Sequence, residues 1–579
     1  MKTESIERQI GAWLEGDYDL DTKAEIQRLQ RENPEALVDA FYTDLKFGTA
    51  GLRGIMGVGS NRMNVYTVRR ATLGLARYLE NQKAPGPVLI AYDSRHNSRR
   101  FAEETARVLA ACNREALLYR EIRPVPLASF GCRYQHCAAA VMITASHNPP
   151  EYNGYKVYWS HGGQVLPPDD SGIIEEVERI KALDKIKTVP LNHPLIHQID
   201  GEVDAAYLSA IVDCQSYPEQ NQKEGGKLAL TYTSLHGTGI TLMPEALKRW
   251  GFSNLSLVEK QCLPDGDFPT TKSPNPEEEE ALSLGIEQLR KAGGDLLIAT
   301  DPDADRLGAA ILHEGEPVIF TGNQIACLCL DHLCQAAAKT GSLPKTTTFI
   351  KTIVTTELFR TIAIASGFRC IDLLPGFKYI GQMMERWALA PPGGPTFGFA
   401  AEESYGYLVG THTRDKDAIV CGCLLAEAAL AAKLRGETLL DQLHRLYHQY
   451  GIHREHLKSL TYKGKEGQQE IKGMMEHLRA SPPTEIEGIP IMAIEDYLSG
   501  KRREPATGTQ KPLPLPKTDA LLFWLEDGTK LVVRPSGTEP KIKIYCGIVS
   551  SRFPTLQKGI ADADARAERY LTRLEAHLR

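Results

Sequence analysis

The segment TASHNPPEYNGYK, residues 144–156, places a hydroxyl group beside basic side chains at the end of the apolar run VMIT. Ser146 is followed by His147, and Lys156 ends the segment. A serine hydroxyl is a poor nucleophile until a base or a charged site activates it, and His and Lys can supply proton transfer and positive charge. A plain turn needs neither basic residue. The pattern therefore predicts a nucleophile at the end of a strand, where open α/β sheets place their sites.

A second segment, DPDADR, residues 301–306, carries three alternating carboxylates after the apolar run DLLIAT. On an extended loop Asp301, Asp303 and Asp305 would converge on one point, which suits Mg2+ because that ion prefers oxygen ligands. An EF-hand does not fit, since Arg306 and Leu312 stand where that loop needs Gly and Glu. The alternative is a solvated acidic loop, and the mutual repulsion of three carboxylates beside a buried strand argues against it.

A third segment, RPSGTEPK, residues 534–541, combines positive charge with groups that can approach an anion closely. Arg534 and Lys541 bring the charge, while Ser536, Gly537 and Thr538 offer hydroxyls and main-chain N–H groups. This composition predicts a nest for a phosphate group. A simple hairpin turn is the alternative.

Three weaker segments are Gly-rich or acidic: FGTAGLRG at 47–54, GFKYIG at 376–381 and AEESYG at 401–406. Each alone is more typical of a loop than of a site. The sequence has no GxxxxGK[ST] motif and no GxGxxG that opens a βαβ unit, so nothing in it supports nucleotide binding.

The elements that would position these segments follow a repeated rhythm. Three successive stretches alternate short β-rich runs with amphipathic helical patterns, which is typical of α/β layers. Strands are predicted over residues 88–93, 141–144 and 295–300, and a helix is predicted over 98–113. A cluster of cysteines falls on another helical pattern without a second pair, so core packing is favoured over a zinc site for Cys327, Cys329 and Cys334.

The remaining chain breaks the rhythm. Residues 451–480 suggest a polar helix, 504–517 a Pro-rich surface loop, and the following apolar runs a hairpin that turns at Asp527-Gly528. The predicted fold class is α/β, with three similar α/β domains that have mixed or parallel sheets and a smaller C-terminal α+β domain. The expected boundaries are 1–203, 204–313, 314–450 and 451–579.

Length, charge and composition narrow the class of protein. The 579 residues contain 42% hydrophobic and 24% charged residues, as in ordinary globular proteins, and the net charge is −6. Without a basic surplus we expect neither nucleic acid nor a membrane as partner. No secretory leader is recognisable, and no apolar run approaches the ~20 residues of a membrane-spanning helix. Twelve scattered cysteines favour a reducing, cytoplasmic location.

In family order, four of these segments resemble the α-D-phosphohexomutases, the phosphoglucomutases and phosphomannomutases. TASHNPPEYNGYK is similar to the phosphoserine loop, DPDADRLG to the metal loop, AEESYG to the sugar loop and RPSGTEPKIKIY to the phosphate loop. The resemblance runs from about Gly48 to Tyr545 and is closest to the glucose- and pentose-phosphate branch. In the mannose branch the sugar loop more often reads GExSGH. In this sequence Gly406 or Tyr407 occupies the position near which the His of that motif would fall.

The resemblance implies a role for each matching residue. Ser146 would carry the phosphoryl group, flanked by His147, Lys156 and Arg53, and one phosphoserine oxygen would join the three aspartates on Mg2+. Arg306 and Lys378 would contact the sugar phosphate or assist proton transfer. A segment similar to HxREKD supplies two further candidates for substrate binding, His412 and Lys416. The sugar hydroxyls would contact Glu402 and Ser404, and the non-reacting phosphate would be held by Arg534, Ser536, Gly537, Thr538 and Lys541.

The family reaction is reversible transfer between C1 and C6 of a sugar phosphate through a phosphoserine and a hexose 1,6-bisphosphate. The resemblance further implies one Mg2+ per active site, glucose 1,6-bisphosphate as activator, a heart-shaped molecule with a central cleft, and a monomer or homodimer whose partner is a small sugar phosphate. Phosphopentomutase, phosphomannomutase and glucose-1,6-bisphosphate synthase activities are alternatives. A haloacid-dehalogenase-like phosphatase that uses Asp301, and a non-catalytic sugar-phosphate binder, are the rivals from other classes.

Overall fold

The computed structural model describes residues 2–48, 51–462, 464–536 and 541–578. Within these residues the chain forms two compact units. The first comprises Met1–Ile325, Phe377–Ala400 and Ser404–Ala431, and the second comprises Ala326–Gly376, Ala401–Glu403 and Ala432–Arg579.

The first part of the first unit is a six-stranded sheet with helices, preceded by three helices. Asp19 and Asn33 cap the second and third of these helices with their side chains. The elements are α1 (Lys2–Glu15), α2 (Leu20–Glu32), α3 (Pro34–Phe41), β1 (Leu52–Ile55), α4 (Val65–Asn81), β2 (Val88–Tyr92), α5 (Ser98–Ala111), β3 (Ala116–Tyr119), α6 (Val125–Tyr134), β4 (Ala139–Ile143), β5 (Tyr152–Trp159), α7 (Asp169–Arg179) and β6 (Ile196–Ile199). The strand order is β1-β5-β4-β2-β3-β6. The neighbours β4, β2, β3 and β6 pair in parallel, whereas β5 pairs antiparallel with both β4 and β1.

A second, five-stranded sheet follows in the same unit, in the order β11-β10-β9-β7-β8. Its central strands β7 and β9 are parallel and buried along their whole length, as expected for strands covered on both faces. The elements are α8 (Gly201–Val212), α9 (Pro218–Glu224), β7 (Leu230–Thr233), α10 (Met243–Arg249), β8 (Leu255–Leu257), α11 (Glu259–Cys262), α12 (Glu279–Ala292), β9 (Leu296–Thr300), β10 (Leu307–His313) and β11 (Glu316–Phe320).

A third α/β region contains α13 (Gly322–Thr340), β12 (Thr347–Thr352), α14 (Glu357–Ala365), β13 (Arg369–Leu373), α15 (Phe377–Ala388), β14 (Thr396–Glu402), β15 (Gly406–Val409), α16 (Ala418–Leu434) and α17 (Leu439–Tyr450). Strands β12 and β13 pair in parallel. On α13 the thiols of Cys327, Cys329 and Cys334 are buried, and the prediction that they pack in the core is confirmed.

The C-terminal region is β-rich, with strand order β16-β23-β22-β21-β18-β19-β20 and β17 paired to β18. The hairpin predicted at Asp527-Gly528 is confirmed by the antiparallel pairing of β21 with β22. The elements are β16 (Ile452–Thr461), α18 (Gly464–Ala480), β17 (Glu485–Ile486), β18 (Ile489–Asp496), β19 (Lys501–Arg503), β20 (Gln510–Pro512), β21 (Leu521–Leu525), β22 (Lys530–Pro535), β23 (Lys541–Ser550) and α19 (Leu556–Leu578).

Two predictions for this region need correction. The prediction of a helix over 451–480 is wrong for the first third of that range, because Ile452–Thr461 forms a strand that pairs antiparallel with all ten residues of Lys541–Ser550. Pairing between distant segments outweighs a weak local helical preference there. The Pro-rich stretch 504–517 is mostly loop, but Gln510–Pro512 adds an exposed edge strand, a place where a sheet tolerates Pro.

The strands predicted over 88–93, 141–144 and 295–300 are confirmed as β2, β4 and β9, and the helix predicted over 98–113 is confirmed as α5. Their ends differ from the predicted ones by no more than two residues. The fold class, three α/β regions followed by a β-rich C-terminal region, is also confirmed. The exact domain boundaries stay a prediction. Across the described residues, no helix is both long enough and apolar enough to cross a bilayer.

Candidate active site

The loop that follows β4 turns sharply at Ser146. This residue has φ +54°, a left-handed conformation that is uncommon for a residue other than Gly. Its N–H donates to Oγ1 of Thr144 at 2.8 Å, and its main-chain carbonyl accepts a hydrogen bond from Arg95. The side chain of Ser146 is only 3% exposed, so the loop holds the hydroxyl at a fixed buried position.

The loop that follows β9 is folded around Asp301. Its Oδ1 accepts the N–H of Asp305 at 3.1 Å and that of Arg306 at 3.0 Å, and Ala304 has φ +50°. The turn leaves Asp301, Asp303 and Asp305 almost completely buried, and ligand oxygens of all three lie within 4.8 Å of one another.

The structure brings the two loops into direct contact. Oγ of Ser146 donates to Oδ2 of Asp301 at 2.7 Å, and Nδ1 of His147 lies 3.2 Å from the same Oγ. Oγ1 of Thr144 also lies 3.3 Å from Oδ2 of Asp303. A buried hydroxyl, an imidazole and a carboxylate triplet therefore share one site, as the family resemblance implies.

Two lysines offset part of the negative charge. Nζ of Lys156 lies 2.8 Å from Asp303 and 3.4 Å from Asp305, and Nζ of Lys416 lies 3.0 Å from Asp305. Burial alone would raise the pKa of Asp305, but the two ammonium groups hold it below its usual value. At Asp301, burial and the neighbouring carboxylates raise the pKa well above its usual value.

The carboxylate triplet fits a bound Mg2+ ion. Oδ1 of Asp303 and Oδ1 of Asp305 are buried and have no hydrogen-bond partner among the described residues. A buried carboxylate oxygen without a partner is costly unless something electropositive faces it. Mg2+ prefers oxygen ligands, and the three carboxylates supply them.

Two arginines lie near His147. Arg53 lies on β1, and its Nη1 is 3.4 Å from Oδ1 of Asn148. The guanidinium of Arg306 pairs with Glu277. Burial and the charges of Arg306 and Arg53 hold the pKa of His147 well below its usual value.

The other residues predicted to contact the sugar, Lys378, Glu402 and Ser404, lie on three different elements of the fold. Lys378 lies in the first turn of α15, and burial lowers its pKa. Oε1 of Glu402, at the end of β14, accepts the N–H of Gly376 at 2.7 Å, and Ser404 lies in the turn before β15.

His412 contacts Asp417 and not the carboxylate triplet in the hydrogen bonds of the described residues. Its Nε2 lies 2.8 Å from Oδ2 of the buried Asp417, which also accepts a hydrogen bond from Tyr207. The role in substrate binding that the resemblance implies for His412 stays a prediction.

The predicted phosphate loop is described only at its ends. Gly537 and Thr538 lie outside the described residues, whereas Arg534 is the last residue but one of β22 and Lys541 begins β23. The N–H of Ser536 donates to the main-chain carbonyl of Lys541 at 2.7 Å, so these two residues face each other.

Sequence reasoning missed Asp93 and Arg95, which follow β2. Both side chains are fully buried and form an ion pair at 3.3 Å. Arg95 also donates to the main-chain carbonyls of Asn148 at 2.5 Å and Pro149 at 2.8 Å. The signal was available, because VLIAYD, residues 88–93, is a predicted strand and open α/β sheets place their sites at the carboxyl ends of strands.

Sequence profiles of three consecutive domains match this chain. They are the phosphoglucomutase/phosphomannomutase alpha/beta/alpha domain I at residues 44–184, domain II at 205–314 and domain III at 321–450.

Curated relatives extend the match over most of the chain. A phosphoglucomutase of Staphylococcus aureus (strain MRSA252) is 37% identical over 529 residues, which cover 90% of this chain and 93% of the relative. A phosphoglucomutase of Staphylococcus haemolyticus (strain JCSC1435) is 36% identical over 527 residues, with coverage of 90% and 93%.

The fold is similar to that of solved structures. The crystal structure of the exocytosis-sensitive phosphoprotein parafusin, a phosphoglucomutase from Paramecium, superposes with a TM-score of 0.66 at 18% identity. The superposition covers 93% of this chain and 95% of that one.

Proposed function

Because this chain belongs to the phosphoglucomutase/phosphomannomutase family and is a phosphosugar mutase, we propose that it moves a phosphoryl group between C1 and C6 of glucose phosphate. Such an enzyme is an isomerase of carbohydrate metabolism. The observation that carries the finer proposal is the 2.7 Å contact between Oγ of Ser146 and Asp301 inside a buried carboxylate triplet.

In this proposal Ser146 carries the phosphoryl group. The free hydroxyl of the sugar phosphate attacks phosphorus, the bond to Oγ breaks, and a hexose 1,6-bisphosphate forms. After the bisphosphate has turned round, Oγ attacks its other phosphate and the isomeric monophosphate leaves. Transfer of this kind depends on positioning and charge stabilisation more than on covalent chemistry by the protein.

The surrounding side chains each supply one part of that stabilisation. His147, with Nδ1 at 3.2 Å from Oγ, is placed to accept or return a proton at this atom. Lys156 brings positive charge to the buried carboxylates, and Arg53 borders the serine loop. Asp301, Asp303 and Asp305 would hold Mg2+, with an oxygen of the phosphorylated serine as a further ligand, and the ion would supply charge that stabilises phosphoryl oxygens.

Glucose is the proposed sugar, because the curated relatives are phosphoglucomutases and the sugar loop reads AEESYG. Glucose 1,6-bisphosphate would phosphorylate Ser146 and thus act as the activator. Comparing kcat/KM for glucose 1-phosphate, mannose 1-phosphate and ribose 1-phosphate, with a trace of that bisphosphate, tests the assignment. A higher value for ribose or mannose phosphate would replace glucose as the substrate.

The rival in which Asp301 is phosphorylated fits the geometry less well. Its Oδ1 already accepts two main-chain N–H groups, and its Oδ2 accepts the hydroxyl of Ser146. Neither oxygen is therefore presented as a nucleophile to a substrate.

One experiment separates the two phosphorylation sites. After incubation with glucose 1,6-bisphosphate, intact-mass analysis should show one added phosphoryl group in the wild type and in Ser209→Ala, an exposed serine on α8, but none in Ser146→Ala. A phosphoryl group that persists in Ser146→Ala would overturn the proposal and favour Asp301.

The cellular setting belongs to the same proposal. All twelve cysteines are free thiols, which suits a reducing compartment and supports a cytoplasmic location. The partner is a small sugar phosphate, and the oligomeric state, monomer or homodimer, stays a prediction.

A further inference from the structure

The first unit contains a cavity that the proposed reaction does not use. Its volume is about 440 Å³, within the usual range of small-molecule sites. The side chains that matter for a ligand come from α6 and the turn after it, from the end of β5 and the turn after it, and from α15: Arg133, His136, Trp159, Ser160, His161 and Glu385. We infer that this cavity is a second binding site for a monophosphorylated sugar, separate from the site at Ser146.

Arg133 gives the cavity its anion-binding group. Its Nη1 donates to the main-chain carbonyls of Thr411 at 2.8 Å and His412 at 2.7 Å, which fixes the guanidinium plane. An arginine fixed in this way can offer its other N–H groups to a phosphate without further ordering.

His161 adds a donor of known orientation. Its Nδ1 lies 3.0 Å from the N–H of Gly163 and accepts it, so in the neutral ring the proton must be on Nε2. Burial lowers the pKa of His161, which keeps the neutral form dominant near pH 7. Among the described residues this Nε2 has no partner within hydrogen-bonding distance, so it can donate to a ligand oxygen.

The other two groups suit the sugar part of such a ligand. The indole of Trp159, which lies 5.9 Å from the ring of Tyr78, provides an apolar face for the C–H groups of a sugar ring. Glu385 provides a carboxylate that can accept hydroxyl donors. Its charge is balanced, because Oε2 lies 3.2 Å from Nε of the buried Arg414.

The cavity is connected to the carboxylate triplet through one short loop. Arg133 and Arg414 both donate to the carbonyl of Thr411. Five residues later, Lys416 lies 3.0 Å from Asp305. A ligand that engages Arg133 and Glu385 therefore acts on the same residues that hold this loop, so occupancy of the cavity should alter turnover.

The test counts sites by calorimetric titration with glucose 6-phosphate in a Ser146→Ala background, which stops turnover. We expect two equivalents to bind per chain. Adding His161→Asn keeps an acceptor near the Nδ1 position and removes the Nε2 donor, and adding Ser160→Trp fills the cavity from an exposed position. Either change should leave one equivalent, and binding of that equivalent shows that the variant is folded.

The matched control is His197→Asn, an exposed histidine on β6 that pairs with Glu115, and it should retain two equivalents. One equivalent in the Ser146→Ala parent would overturn the inference. Two equivalents in both cavity variants would overturn it as well. Neither outcome would contradict the proposed reaction, because that reaction is tested separately by the presence of a phosphoryl group on Ser146.

Discussion

The guanidinium of Arg95 lies 3.3 Å from the carboxylate of Asp93, and both side chains are completely shielded from solvent. The same guanidinium donates to main-chain carbonyls of the loop that carries Ser146, including that of Asn148 at 2.5 Å. It also stacks on Phe268, with the guanidinium carbon 4.9 Å from the ring centroid. One buried cation thus holds the serine loop in its left-handed turn.

Replacing Arg95 with Met should loosen that loop and destabilise the first unit. The change removes hydrogen bonds to several carbonyls and leaves the Asp93 carboxylate buried without its cation, at a cost of about 3–5 kcal/mol. We expect a lower melting temperature and a kcat reduced more strongly than KM is raised, measured by thermal unfolding and by mutase assay. In the double variant Arg95→Met/Asp93→Asn part of the thermal stability should return, and no recovery would contradict a buried ion pair.

Chelation should inactivate the enzyme, and Mg2+ should stabilise it. The oxygens Oδ1 of Asp303 and Asp305 have no hydrogen-bond partner among the described residues, and a bound cation would face both of them. Mutase activity should be lost after dialysis against a chelator and return with Mg2+. The melting temperature should rise with Mg2+ concentration, because a ligand that binds only the folded state stabilises it.

The variant Asp303→Asn provides the comparison for the metal prediction. It removes one charged ligand and should need about tenfold more Mg2+ for half of its maximal rate. The control Asp267→Asn changes an exposed aspartate that pairs with His96. An equal Mg2+ requirement in the wild type and in Asp303→Asn would contradict the site.

Much of the site could be predicted from the sequence because its parts follow strands. Apolar runs mark β4 and β9, and the residues that follow them, Ser146 and Asp301, must lie at the carboxyl ends of buried parallel strands. The strand-end rule therefore predicts each loop by itself, whereas the expectation that the two loops share one site comes from the family resemblance, since β4 and β9 belong to different sheets.

What the sequence could not provide is contact between distant segments. The substrate-binding role of Lys416 rests on a motif and stays a prediction, and the motif gives no sign that its ammonium group lies 3.0 Å from Asp305. Likewise Ile452–Thr461 resembles a polar helix locally and becomes a strand only because Lys541–Ser550 pairs with it. Such pairings depend on tertiary packing, which local propensity does not encode.

Gly154 should not tolerate a side chain. A Cβ at this position would lie 2.4 Å from the carbonyl oxygen of Thr144 and 2.9 Å from that of Leu52, both main-chain atoms that cannot move aside easily. Gly154→Ala should lower the melting temperature, since overpacking costs about 1–3 kcal/mol. In contrast, Gly473→Ala on the exposed face of α18, with nothing within 4 Å, should raise stability by up to about 1 kcal/mol. A harmless Gly154→Ala would contradict this tight strand packing.

The pH dependence of stability should include a contribution from Asp496 in the second unit. Burial alone would raise the pKa of this carboxyl group, but hydrogen bonds from Ser499 and Arg479 lower it below its usual value. Nε of Arg479 lies 3.1 Å from Oδ1 of Asp496. Since the folded-state pKa is below the unfolded-state pKa, the stabilisation is complete above about pH 4 and is lost as the pH falls through the folded-state pKa.

Asp496→Asn should therefore lower the free energy of unfolding by about 1 kcal/mol at neutral pH. The difference in melting temperature between wild type and variant should be constant from pH 7 to pH 5. It should shrink below about pH 4, because Asp496 of the wild type binds a proton there more readily in the unfolded state than in the folded state. Asp562→Asn, an aspartate of α19 that is 62% exposed and 4.0 Å from Arg566, serves as the control and should change little at any pH. A difference for Asp496→Asn that is unchanged down to pH 3 would show that the carboxylate charge is not what stabilises this position.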